Sequence, residues 1–485
     1  MSQAGRLSGV GLDQRARNPR TFEVRRATVR VLVLIIALLF GTSAILRPDR
    51  AIRIATGGTA HALCAGVFVS GRDANRTYEE ETRPEPGMAL LNWGLRYRVD
   101  PRARDVSVTF AGMFESRAAF RGDAGCLDVH GEVPTVSRGR DLGAMTLPED
   151  VGSFVEATTR DERVRAAVDE GFAEPQSTRR RNTKAVVVVH RGRIIAERYA
   201  EGIKVDTPLS GHSLSKSVTH ALIGLLVHEG KLSGGAPAPV PEWSPPSDPR
   251  SQITVDELLR MSSGLPWDER IPGFDAATRM WFIERDMYAF AVRAPIEGAP
   301  GTRWNYSNRG YMVLCRLLRD GVGGTDEDVL RFARRDLFLP AGMKNALIDF
   351  DATGTPICTS DVYASARDWA RFGLLYLNGG VVDGRRVLPE EWVRAASAKT
   401  LDTGYGAGFW INSVHTPQPL LGAWGMEGAP ADAFYGRGHL GQYVVIIPSR
   451  QLVVVRLGSS HLPHDDIVGV GHMVKKIVSA IDDGT

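Results

Sequence analysis

The chain is 485 residues long, 43% hydrophobic and 24% charged, with a formal net charge of +3. That length calls for one enlarged domain or two unequal ones, and the composition excludes a collagen-like or largely disordered chain. The positive excess lies before residue 31 (Arg6, Arg15, Arg17, Arg20, Arg25, Arg26 and Arg30 against Asp13 and Glu23), so no nucleic-acid partner is implied.

Residues 1–27 form a basic arm, and residues 28–46 follow as an apolar segment whose run VLVLIIALLFGTSAIL (Val31 to Leu46) carries no charge. With Ala27 to Val29 it approaches the ~20 residues that cross a bilayer, and Arg30 can snorkel. The segment reads as a single transmembrane helix; a cleaved signal peptide and a buried core helix are the competing readings. The arginine flank places the arm in the cytoplasm and everything after Arg47 outside, on the periplasmic or cell-surface side of the cell membrane.

Residues 47–178 read as an N-terminal extracytoplasmic region with a small β-rich part, its strands at Ala65 to Val69 and Val106 to Phe110. An oxidising location permits disulfides, and a Cys64–Cys126 bond is expected. None of the four cysteines lies in a C-x-x-C, so a structural metal is not implied, and Cys315 in the apolar run Tyr311 to Leu318 reads as a buried free thiol. Glu149 to Ser177 is a polar helical connector.

The main domain occupies residues 179–485. Lys184 to Val189 and Ile194 to Tyr199 flank a Gly192 turn as a hairpin. An almost wholly apolar helix follows between Gly211 and Gly230, then a proline-rich loop from Gly234 to Pro249. Thr254 and Glu257 form a capping box for a helix that ends near Gly264. Further helices are expected at Ala276 to Val292, Asp326 to Phe338 and Arg367 to Leu377. Strands return at Ala407 to Ile411, Tyr443 to Ile447 and Leu452 to Leu457, the last two separated by a turn at Pro448 to Gln451. A helix from Val468 to Ile481 closes the chain. Strands first and last with helices between give an α+β fold, an antiparallel sheet built from both ends of the domain with a mostly helical insertion.

Chemistry enters at Ser213 and Lys216, three apart where the apolar helix begins, so that a nucleophile and a base share one helix face. Alone, S-x-x-K is a weak signal, because a Ser in a first turn is usually a cap. Two more triplets follow: Tyr306-Ser307-Asn308 in a loop and His439-Leu440-Gly441 at the head of a strand. In the order S-x-x-K, Y-x-N, H-x-G the chain resembles the serine β-lactamase and penicillin-binding superfamily. It is most similar to the class C branch, and in phrasing to the aminohexanoate-dimer hydrolases and related serine esterases. HSLSKS, LLRMSSGLPWDE, WNYSNRGY, RDWARFGLLYL and GQYVVIIPSRQLVVVRLG carry that likeness.

The resemblance implies a β-lactamase-like fold, no cofactor, and a site of named roles. Ser213 is the nucleophile, Lys216 the base, and Tyr306 completes the base, as a phenolate beside the Lys216 charge, and passes the proton to the leaving group. Asn308 is expected to hold Lys216 and a substrate carbonyl. The backbone N–H groups of Ser213 and Gln442 are expected to bind the oxyanion, Gly441 to allow close approach there, and His439 to meet substrate. The leading expectation is a membrane-anchored hydrolase of a small ester or amide; a D-alanyl peptidase or β-lactamase, and a non-catalytic ligand sensor, are the alternatives. Oligomeric state is not legible.

Overall fold

The computed structural model describes residues 47–131, 155–156, 161–269, 273–412 and 425–483. The expected transmembrane segment 28–46 lies outside the described residues. Residues from Ile52 onward form one compact unit.

An N-terminal layer comes first. Helix α1 (Pro48–Cys64) packs on a four-stranded antiparallel sheet of β1 (Leu95–Asp100), β2 (Asp105–Phe110), β3 (Met113–Phe120) and β4 (Cys126–Asp128). Its helical stretch through Val69 is long and apolar enough to cross a membrane, yet 56% of its apolar window is buried inside the protein. The Cys64–Cys126 disulfide is present and ties helix to sheet. Ala65–Val69 is not a strand. The helix continues there in a wider turn, with Ser70 N–H donating to Ala65 O, because Gly66 is buried against Thr77 and tertiary packing overrides the β-branched pattern.

Among the described residues the main sheet has seven strands. β5 (Val155–Glu156) lies parallel to β7 (Arg193–Tyr199), which pairs antiparallel with β6 (Thr183–His190). Late in the chain come β8 (Trp410–Ile411), β9 (Phe434–Gly438), β10 (Gln442–Ile447) and β11 (Leu452–Gly458), giving the spatial order β8-β9-β10-β11-β6-β7-β5. β11 pairs with β6, opposing Val453–Val455 to Val189–Val187, so both ends of the domain meet at the centre as expected. Alternating exposure is absent here because helices cover the sheet: Ala366–Leu377 packs on β10, β11 and β6.

Between the two halves of the sheet the chain is helical, with shorter pieces than the periodicity suggests. The capping box at Thr254 and Glu257 is formed, but its helix is only Val255–Leu259. The Ala276 to Val292 pattern is two helices, Ala276–Phe282 and Met287–Ala291, because Asp286 caps the second by accepting from Ala289 N–H. The strand expected from Ala407 contracts to Trp410–Ile411, whereas β9, rich in glycine, carries no strand pattern in sequence. Cys315 is not free: it is bonded to Cys358.

Candidate active site

Ser213 sits in a tight turn, His212–Leu214, that leads directly into the helix Ser215–His228. That helix is buried on nearly all sides, as an apolar sequence without a polar stripe requires. His212 holds a left-handed backbone, φ 45°, costly for a non-glycine residue, which turns the chain sharply before the serine. Strand β9 lies against this turn. A Cβ at Gly436 would stand 2.2 Å from Leu214 Cδ1, and one at Gly438 2.0 Å from Gly211 O, so only glycine lets the strand come so close.

Lys216 is 1% exposed, and its Nζ donates to Ser213 Oγ and to Thr359 O, each at 2.9 Å. Burial lowers its pKa to about 8, against the opposing pull of Glu269, Asp268 and Asp361. Tyr306 is buried and stacked on Trp410 with centroids 6.0 Å apart. The Lys216 ammonium stands 4.9 Å from the centre of the Tyr306 ring. Burial, Glu269 and Tyr405 together push the Tyr306 pKa well above 10, outweighing the opposing pull of Ser213 and Arg437. Near neutral pH it is therefore a phenol, not the phenolate expected from its closeness to Lys216.

Asn308 opens the helix Asn308–Val322, capped by Ser307. Its Nδ2 donates to Glu269 Oε1 at 2.5 Å and Asp268 Oδ1 at 3.2 Å, and its Oδ1 is buried without a partner. The expected Asn308–Lys216 contact is thus replaced by the Thr359 carbonyl. Thr359 follows Cys358, so the Cys315–Cys358 bond fastens the loop bearing that carbonyl to the helix that Asn308 begins. Nothing in the spacing of SGLPWDE places Asp268 and Glu269 beside Asn308, and Thr359 belongs to none of the three motifs.

The H-x-G triplet forms the tip of the β9–β10 hairpin, with His439 beside His212, the residue before Ser213. His439 is half-exposed; its Nε2 lies 2.9 Å from Glu85 Oε1, its Nδ1 3.5 Å from Asp465 Oδ1, and its ring meets His212 edge-on at 5.7 Å. Gly441, at φ 85°, makes room for Arg456, which donates to its carbonyl. The Gln442 side chain is consumed in bonding His439 O, Gly458 O and Gly458 N–H.

Strand register bears on the second oxyanion donor expected at Gln442. Asn412 N–H donates to Ala433 O and Gly441 N–H to Gly438 O, so along β9 residues 433, 435 and 437 aim their backbone groups at β8, and 436 and 438 at β10. Gln442 stands opposite Gly438, inside the hairpin. β8 begins only at Trp410, opposite Tyr435, which leaves the Arg437 N–H on the open edge. The Arg437 guanidinium is itself committed to Asp465 Oδ2 at 2.8 Å and His464 O at 3.1 Å.

A family model described as Beta-lactamase matches residues 114–469. The chain is 27% identical over 299 residues to the 6-aminohexanoate-dimer hydrolase of Paenarthrobacter ureafaciens, covering 57% of this chain and 72% of that protein. Its fold resembles a Bacillus anthracis protein assigned as a 6-aminohexanoate-dimer hydrolase, with TM-score 0.55 and 21% identity over 70% of this chain and 89% of that one. It also resembles a family VIII carboxylesterase, with TM-score 0.50 and 15% identity over 67% and 99% of the two chains.

Proposed function

The chain belongs to the beta-lactamase family and is a serine hydrolase, and from that premise we propose that it cleaves an ester or amide through an acyl-enzyme on Ser213. The observation that carries this is the 2.9 Å contact between a buried Lys216 Nζ and Ser213 Oγ. With its pKa near 8, about one Lys216 in ten is neutral at pH 7 and free to accept the serine proton. Ser213 Oγ then bonds to the substrate carbonyl carbon, and the oxyanion is met by the N–H groups of Ser213 and Arg437. As the C–O or C–N bond breaks, Tyr306 gives its phenol proton to the leaving group and is reprotonated from Lys216. Water, deprotonated by the same pair, releases the acid and restores the serine.

A non-catalytic sensor would gain nothing from a desolvated lysine on a serine. We place the enzyme on a membrane anchor, catalytic side outward, from the apolar segment 28–46 and its arginine flank; two disulfides suit an oxidising compartment. A fluorophosphonate probe is expected to label the wild type and not Ser213→Ala, and an ester, amide and β-lactam panel then ranks the leaving groups. Undiminished labelling of Ser213→Ala would sink the assignment.

A further inference from the structure

Three large apolar side chains, Leu90, Trp93 and Met113, are 77%, 68% and 62% exposed in one corner of the N-terminal layer. They form one surface. Trp93 meets Phe110 edge-on at 5.3 Å and donates its Nε1 hydrogen to Leu90 O at 3.0 Å, while Phe110 opposes Met113 across the β2–β3 turn. A contiguous patch rimmed by polar residues needs a partner, unlike apolar residues scattered singly.

The layer's geometry says where that patch points. α1 and β3 run side by side in the same direction: Arg53 lies 5.6 Å from the Phe114 ring, Thr56 Oγ1 2.8 Å from Ser116 Oγ, and Cys64 is bonded to Cys126, which pairs with Phe120. The Met113 end of the sheet is therefore the end at which the chain enters this unit, at Ile52. Only Arg47 to Ala51 separate Ile52 from Leu46, where the apolar run ends, and fully extended they span no more than roughly 18 Å. Two arginines flank the patch, Arg53 over Phe114 and Arg96, whose Nη1 donates to Trp93 O and Leu95 O. Neither makes an ion pair among the described residues, which leaves both charges for an anionic partner. An indole with its N–H satisfied, exposed aliphatics and unpaired arginines are the groups that settle where acyl chains meet phosphates.

We propose that the surface of Leu90, Trp93, Phe110 and Met113, with Arg53 and Arg96, rests in the headgroup region of the membrane that anchors the chain. This rests on the anchoring read from residues 28–46. A single tether would let the enzyme tumble; this second contact fixes one face of the N-terminal layer to the lipid.

All four cysteines are in disulfides, so Leu90→Cys supplies one free thiol for an environment-sensitive fluorophore, and Leu401→Cys a reference. The full chain is reconstituted in phosphatidylethanolamine and phosphatidylglycerol vesicles, with p-nitrophenyl ester turnover reporting that each variant folds. The label at 90 is expected to be quenched by lipid doxyl groups and roughly fivefold less by aqueous iodide than the label at 401. Equal iodide quenching at both sites in protein that resists carbonate extraction overturns the lipid contact alone. Release of the wild type by carbonate overturns the anchor and this proposal with it. Protection from iodide without doxyl quenching assigns the patch to a protein partner and overturns it too.

Discussion

On the inner side of Ser213, Lys216 is surrounded by carboxylates that do not touch it: Glu269, Asp268 and Asp361 act at a distance, lost water dominates, and the pKa falls to about 8. On the outer side, His439 is half-exposed and in contact with Glu85 and Asp465; there desolvation is outweighed, first by the Glu85 charge and then by hydrogen bonds to both carboxylates, and the pKa rises well above 6.5. Both flanks combine a cation with acidic neighbours. What separates them is contact, since direct pairing holds a proton in place while burial without pairing loosens it. The inner cation suits proton transfer and the outer one suits holding a rim together.

The largest test of that contrast removes the inner pair. Lys216→Ala and Tyr306→Phe are each expected to lower kcat by ~10²–10⁴-fold, and the double variant by little more than the worse single, because the two act as one proton-transfer unit. Single-turnover acylation by a p-nitrophenyl ester reads this directly, and multiplicative losses would break the unit apart. The next effect sharpens the inner side. Glu269 raises the Lys216 pKa, so Glu269→Gln lowers it, and the acid limb of kcat/KM, set near pH 8 in the wild type, moves to lower pH with more activity retained at pH 6. A limb that stays put, or moves upward, would separate Glu269 from the base. The smallest effect belongs to the outer side. His439→Ala is expected to leave the acid limb unmoved, to change KM for bulky substrates by no more than roughly tenfold, and to cost about 1 kcal/mol or less in thermal unfolding, as for an exposed pair. A shifted limb in this variant would erase the distinction between the two sides.

Much of the frame is legible from local chemistry. Thr254 with Glu257 announces a helix start that forms where expected, the helix read at Arg367 to Leu377 is found as Ala366–Leu377, and the valine-rich hairpin is found as β6 and β7. Ser213, Lys216 and Tyr306 can be picked out because their order and spacing repeat a family pattern. The donor proposed on the sheet edge cannot, because a one-residue change of register swaps the direction of every backbone group, and the glycines that bring β9 close to Ser213 also erase its strand pattern. Glu269 stays hidden for a different reason. Its meeting with Asn308 joins a loop to the start of a helix 39 positions later, and nothing local in either predicts it. The Cys315–Cys358 bond is missed likewise: a cysteine in an apolar helical run reads as packing until its distant partner is located.

The pairing of β6 with β11 sets the order in which this molecule can be made. A chain made from its N-terminus delivers Val186 to Val189 early, and their ladder partner Leu452–Gly458 almost last. Until then the strand is an open valine edge, and the Ser215–His228 helix lacks the strand β9 that covers its start. Contacts so remote in sequence form slowly, which lengthens the interval in which two such chains can join edge to edge. The growing polypeptide therefore carries an unpaired edge through most of its synthesis, and no partial product of synthesis holds the strand β9 that completes the setting of Ser213.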